Sequence, residues 1–215
     1  MAKRSTPTSL NVLFIGNSFT ERNNVPALIA NLAAARGKQL HHQLISAGGA
    51  SLRMHWNKGE AQQIIQQNKF DYVVLQEQST LPFKNAKRMH ENIRLFDEVI
   101  KNSGAKTALY LTWARQNTPE TQAAITAAYT TIGEEIGATI IPVGVAWEYF
   151  LREHKTPILH DKDLSHPTLA GSYLAACVFY SVLFGENPVG EELKGIADTS
   201  LLQKTAWDLN QYRDW

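Results

Sequence analysis

The sequence predicts a three-layer α/β domain around a central, mostly parallel five-stranded sheet. Short apolar runs bounded by turn residues occur five times along the chain, and amphipathic stretches of helical length separate them. Strands joined by helix-length crossovers pair in parallel, with helices covering both faces of the sheet. The 215 residues suit one domain. A chain of that size buries roughly 70% of its unfolded surface and needs neither disulfides nor metal for stability.

Each element has its own local reason. Residues 11–15, Asn-Val-Leu-Phe-Ile, form a compact apolar run stopped by Gly16, as in a strand buried on both faces. Residues 26–36 place Leu28, Ile29 and Leu32 on one helical face, with Pro26 in the first turn and Gly37 just beyond the end. Residues 41–46 make a second strand. Ser51 is a helix N-cap after Gly48-Gly49, and the helix it starts is predicted to run to about residue 67. Residues 71–75 are rich in β-formers and give a third strand. Residues 85–102 align Met89, Ile93, Phe96 and Ile100 on one stripe of a helix. Residues 105–112 read as the fourth strand. Residues 119–136 carry Ile125, Ala128, Tyr129, Ile132 and Ile136 on one helical face. Residues 139–143 read as the fifth strand. Helices follow over 145–154 and 167–184, and an amphipathic tail helix carries Leu201, Leu202, Trp207 and Leu209. No repeat, linker or low-complexity tract divides the chain. One domain over 1–215 is expected, with its core at about 11–184 and a helical extension at about 191–215.

Composition excludes several classes. Lys and Arg number 21 and Asp and Glu 20, so the formal net charge is +1. A dedicated nucleic-acid binder carries a basic excess, and no nucleic-acid partner is expected. The one cysteine, Cys177, precludes an internal disulfide framework and any CxxC motif, and it reads as a core residue. The longest strongly apolar stretch, 174–184, is interrupted by Tyr180 and Ser181 and is too short to span a bilayer. The basic start is followed by no apolar signal region, so the expected location is cytoplasmic, although a trimmed secreted form would read the same way.

Ligands of parallel α/β sheets bind at the carboxyl ends of the strands. Four segments sit there: Gly16-Asn17-Ser18, Gly48-Gly49, Gln76-Glu77-Gln78 and Thr112-Trp113. Ser18 in the first strand–helix turn has its hydroxyl at the mouth of the sheet. Helix amides nearby favour developing negative charge. A serine needs a base, and the base needs an orienting carboxylate. Taken alone, Gly-Asn-Ser is a weak signal and is better read as a turn or cap. Asp163-Leu164-Ser165-His166-Pro167-Thr168 changes the balance, because Asp163 and His166 can hydrogen-bond directly across three residues. A metal cluster of His160, Asp161, Asp163 and His166 is disfavoured, since sequence neighbours cannot all converge on one ion. No metal is expected.

Together, Ser18 after the first strand and Asp163-x-x-His166-Pro167 near the end resemble the SGNH hydrolase superfamily, the GDSL-type esterases. The resemblance spans about residues 11–184. The wording around Phe14-Ile15-Gly16-Asn17-Ser18-Phe19-Thr20 and Val74-Leu75-Gln76-Glu77-Gln78-Ser79 is most similar to a bacterial branch of SGNH-like proteins. It implies a flavodoxin-like fold and hydrolysis of small acyl esters, often O-acetyl groups on sugars, with no cofactor. It implies Ser18 as nucleophile, His166 as general base and Asp163 as its orienting partner. The family glycine corresponds to Gly49, with Gly48 as the neighbouring substitute. The family Gly-x-Asn is replaced here by Gln76-Glu77-Gln78, with Gln78 in place of the asparagine. The oxyanion-hole donors implied are the Ser18 amide, the Gly49 amide and the Gln78 side chain. Trp113 and Arg115 are candidates to line the acyl or sugar pocket, although an aromatic at a strand end is more often packing. His55 reads as a surface or satisfied polar residue rather than a catalytic one, and Glu77 faces either the site or a loop. The tail helix, with Trp207 and Trp215, covers an edge or serves a dimer. Absence of Gly-x-Ser-x-Gly argues against an α/β-hydrolase nucleophile elbow. Two other readings are a flavin-phosphate binder using residues 16–20 and a weakly active SGNH-like domain that binds acylated glycans.

Overall fold

Strand β1 (Ser9–Gly16) is the spine of the sheet, and its side chains alternate between two cores. Val12 and Phe14 point into one core and Leu13 and Ile15 into the other, all completely buried. A strand buried on both faces needs apolar residues at successive positions, which is why residues 12–15 are a continuous apolar run, while Asn11 before them is exposed. The structure is a computed structural model and describes residues 6–190 and 195–211.

The other strands are β2 (Gln39–Ser46), β3 (Tyr72–Leu75), β4 (Lys106–Tyr110) and β5 (Thr139–Ile141). Their order in the sheet is β2-β1-β3-β4-β5. All four pairings are parallel, so the sheet is wholly rather than mostly parallel. The register places Gly16 opposite Ser46, Ile15 opposite Leu75, Leu75 opposite Leu109 and Leu109 opposite Ile140. Every strand therefore ends along one edge. The chain leaves β1 toward β2 on one side and returns to β3 on the other, so the strand order reverses at β1. Such a switch point opens a crevice between neighbouring loops.

On one face lie α1 (Ser18–Glu21), α2 (Val25–Ala34), α8 (Val143–Glu153), α9 (Leu169–Phe184) and α10 (Thr199–Gln211). On the other lie α3 (Leu52–Lys58), α4 (Glu60–Gln67), α5 (Leu81–Lys84), α6 (Ala86–Asn102) and α7 (Gln122–Ile136). Helix α9 is buried nearly all round, which explains its lack of a polar stripe. Helix α10 covers it: Leu202 and Ala206 join the core, and Gln203 Nε2 donates to Tyr173 Oη at 2.7 Å. The tail helix thus serves as a cover, with Trp207 half-buried, and Trp215 lies outside the described residues. Cys177 sits in α9, fully buried, and burial pushes its thiol pKa up.

Several boundaries differ from the sequence reading. The helix expected over 51–67 is two helices, broken at Gly59, whose φ of +77° ends α3 and starts α4. The fourth strand stops at Tyr110 rather than residue 112, and the fifth at Ile141 rather than 143. Pro142 cannot donate to a ladder, and Val143 already belongs to α8. Residues 119–121 form a 3₁₀ turn ahead of α7, and α2 stops at Ala34 before residue 36. A Cβ at Gly59 would meet nothing within 4 Å, so its cost is backbone strain alone. Gly59→Ala should therefore lower unfolding free energy by about 1–2 kcal/mol, and Gly59→Asn by less, in denaturant titrations.

Candidate active site

Four loops leave the common edge of the sheet, and buried polar side chains tie three of them together. After Gly16, Asn17 caps the short helix α1, its Oδ1 accepting from Phe19 N at 3.1 Å. Ser18 is the first residue of that helix and is half-buried. Gln76, directly after β3, turns its side chain under this loop. Its Oε1 accepts from Asn17 N at 2.9 Å and from Thr20 Oγ1 at 3.0 Å. A Cβ on residue 16 would lie 2.6 Å from Gln76 Oε1, so only glycine lets the carboxamide in. His55, from α3, donates through Nε2 to the Gly16 carbonyl at 2.7 Å. Burial lowers the His55 pKa, which keeps the ring neutral beside that carbonyl.

Residues 160–168 carry the imidazole. An antiparallel bridge between His160 and Pro167 closes the loop at its base. Leu164, at φ +62°, turns the chain back between Asp163 and Ser165. Asp163 Oδ1 then accepts from the backbone amides of Ser165 at 3.0 Å and His166 at 2.9 Å. Its Oδ2 lies 2.5 Å from His166 Nδ1. The His166 amide, then the imidazole and the Ser165 amide, hold the Asp163 carboxyl well below the usual carboxylate range. With Nδ1–H donating to Asp163, His166 Nε2 is the acceptor facing Ser18, whose Oγ is 2.8 Å away. Arg22 adds positive charge, 3.0 Å from Asp161 and 3.8 Å from Asp163.

Aromatic rings brace the arrangement. Phe19 meets His166 edge-on at 5.6 Å and stacks on Trp113 at 4.6 Å. Trp113 stacks in turn on Trp147 at 3.9 Å, and its Nε1 donates to the Ser165 carbonyl at 3.0 Å. Trp113 is only 2% exposed and holds the loop of the imidazole from below, as packing. Arg115 is exposed and lies on the rim of a neighbouring cavity that neither Ser18 nor His166 lines.

Gly49 occupies an exposed turn closed by Ala50 N donating to Ala47 O at 3.0 Å, with φ +66°. Gly48 precedes it in the same turn. Asn17 Nδ2 donates to the Ala50 carbonyl at 3.0 Å, which fixes this turn against the Ser18 loop. Ser51 caps α3, its Oγ accepting from Met54 N at 3.3 Å. The Gln78 side-chain oxygen accepts from Thr80 N at 2.8 Å and Leu81 N at 3.1 Å. That locks the carboxamide, and its nitrogen has no acceptor among the described residues.

Glu77 is completely buried between these loops. Its carboxylate accepts from Leu52 N at 3.0 Å, Gln78 N at 2.7 Å and Asn92 Nδ2 at 2.8 Å. Asn92 Oδ1 accepts in turn from Arg53 Nε at 2.9 Å. Burial raises the Glu77 pKa against the pull of these donors. Sequence reasoning left Glu77 open and missed the roles of Asn17, Gln76 and Arg22; of its two readings of His55, surface or satisfied polar residue, the structure shows the second, buried against the Gly16 carbonyl. One usable signal was present: three polar residues directly follow an apolar strand beside the switch point.

Solved structures share this architecture. A candidate SGNH hydrolase from Slackia heliotrinireducens superposes with a TM-score of 0.72 at 24% identity, over 81% of this chain and 99% of that one. A DUF4886 family protein from Bacteroides uniformis gives 0.80 at 21% identity, over 96% of both chains. The acetylxylan esterase Axe2 from Geobacillus stearothermophilus gives 0.69 at 18% identity, over 88% of this chain and 100% of that one. No protein-family model matches the chain, and no curated protein matches it. The fold is that of the SGNH hydrolases, a three-layer α/β sandwich with the flavodoxin-like strand order. No helix among the described residues is long and apolar enough to cross a membrane.

Glu77→Gln replaces one acceptor with a donor facing amides, and should cost about 1–3 kcal/mol of stability. The pH sign follows from the raised pKa. The folded chain keeps the Glu77 proton to higher pH than the unfolded chain, so this group's contribution falls as pH rises above the ordinary carboxylate range. The unfolding free energy of the wild type minus that of the variant should therefore fall as pH rises from acidic to neutral, as read in paired denaturant titrations.

Proposed function

We propose that the protein is a serine esterase of the SGNH type, acting on small acyl esters through an acyl-serine intermediate. The observation that carries this reading is the continuous hydrogen-bonded chain Ser18–His166–Asp163, with separations of 2.8 Å and 2.5 Å, at the carboxyl edge of the sheet. In the first step His166 Nε2 takes the Ser18 proton as Oγ attacks the ester carbonyl. Asp163 holds the ring with Nδ1–H inward and stabilises the imidazolium that forms. His166 then gives that proton to the departing alcohol oxygen. In the second step water, deprotonated by His166, attacks the acyl carbonyl; the bond to Ser18 Oγ breaks, His166 returns that proton to Oγ, and the acid leaves.

The tetrahedral oxyanion requires donors fixed in advance. The Ser18 amide, the Gly49 amide and Gln78 Nε2 are assigned that task. Support comes from Asn17 and Glu77, which tie their three loops together before substrate arrives. Gln78 reaches one methylene further than an asparagine, and its locked oxygen offsets the extra rotational freedom. The Axe2 structures are described as those of an acetyl-xylooligosaccharide esterase. By analogy, O-acetyl groups on sugars are the first substrates to try.

Hydrolysis of a short aryl ester such as 4-nitrophenyl acetate tests the reading. Ser18→Ala should lower kcat by about 10⁴-fold or more, and Asp163→Asn by about 10²- to 10⁴-fold. Wild type and Ser18→Ala proteins with equal rates would overturn the assignment. Gln78→Ala should lower kcat by about 10²- to 10³-fold with little change in KM. A loss in KM alone would remove Gln78 from the oxyanion hole.

A further inference from the structure

Beside the loop of His166 lies a cavity of about 670 Å³ that the proposed chemistry does not use. Small-molecule sites commonly have volumes of this order. It opens between the segment after β4, the C-terminal half of α8 and the segment leading to His160. Neither Ser18, Asp163 nor His166 lines it.

Its inner wall is buried and mainly apolar, formed by Ala114, Trp147 and Leu159, with His160 beside them. Leu151 continues that surface outward, and Ile158, 63% exposed, forms an apolar lip. Two ring nitrogens of the wall residues, Trp147 Nε1 and His160 Nδ1, are buried with no hydrogen-bond partner among the described residues. His160 Nε2 donates to the Ala114 carbonyl at 3.0 Å, so Nδ1 is an acceptor. Charge at the mouth leans one way. Arg115, Arg152 and Lys155 stand against one carboxylate, Glu148. Arg152 is engaged by Glu153 at 2.9 Å. The Arg115 guanidinium and the Lys155 ammonium have no hydrogen-bond or ion-pair partner among the described residues.

We propose that this cavity binds a small amphipathic organic anion, a carboxylate or sulfonate on an aryl or alkyl body. The apolar wall takes the body, and Arg115 and Lys155 take the head. A neutral sugar fits less well. Its usual platform is an open aromatic face, and Trp113 and Trp147 are 2% and 0% exposed, stacked on one another. A nucleic acid fits less well too, because the chain carries a net charge of only +1. The cavity meets the loop of His166 through Trp113 and His160, but binding there requires no turnover.

The test is a fluorescence titration of Ser18→Ala protein with 8-anilinonaphthalene-1-sulfonate, with 1-naphthoate and neutral naphthalene-1-methanol as competitors. One saturable site is expected, displaced by naphthoate about tenfold better than by the alcohol. Arg115→Glu with Lys155→Glu should weaken the sulfonate about tenfold without moving the unfolding midpoint, since both residues are exposed. Ile158→Asp, at the lip, should weaken it as well. Absence of saturable binding, binding unchanged in both variants, or an alcohol that competes as well as the acid would each overturn the proposal. Saturable, variant-sensitive binding by a protein whose wild type hydrolyses no ester would overturn the esterase reading and leave this one standing.

Discussion

The turn that carries Ser18 depends on one buried contact, the Gln76 side-chain oxygen against the Asn17 amide and the Thr20 hydroxyl. It joins the end of β3 to the turn after β1, across the point where strand order reverses. Gly16 exists to admit it, because any Cβ there would collide with the carboxamide. With that contact made, Ser18 has one position at the start of α1. A buried polar group carries a heavy penalty if it loses its partner, so the contact specifies one arrangement rather than merely favouring it.

Glu77 extends the same principle to the next loop. A buried carboxylate with three donors costs desolvation, as its raised pKa records, yet it binds the start of α3 to the loop after β3. Asn17 ties the turn at Ala50 to the turn at Ser18, and His55 ties α3 to Gly16. The loops that hold the candidate oxyanion donors are thus held by hydrogen bonds to one another beneath the surface.

The imidazole side is built differently. Its geometry is local: Asp163 reaches residues 165 and 166 through a turn that Leu164 makes in the left-handed region. Locality made this half readable from the sequence, because a three-residue spacing already allows the bond. Its placement over Ser18 is not local. That depends on the stack of Phe19, Trp113 and Trp147, which joins α1, the loop after β4 and α8. Trp113, a candidate for the pocket whose place after a strand also read as packing, is 2% exposed and supports the loop of His166.

The strand runs, the helical stripes and the β-α alternation are local patterns, and they determined the layers and the parallel sheet without any tertiary information. Ser18, Asp163 and His166 were singled out by a strand-end position, by a three-residue spacing and by the resemblance to the SGNH hydrolases. Helix and strand ends were less legible. Gly59 breaks a helix, and Val143 joins one directly after a strand, because backbone hydrogen bonds at such junctions depend on what packs there. The partners of Gln76, Glu77 and His55 lie between 1 and 59 residues away in the chain, and most of these contacts are long-range. No periodicity encodes a contact between two polar residues that meet only when β1, β2 and β3 align in register. The tertiary structure alone decided those partners, since the need to satisfy each buried polar group arises only once the sheet has closed over it.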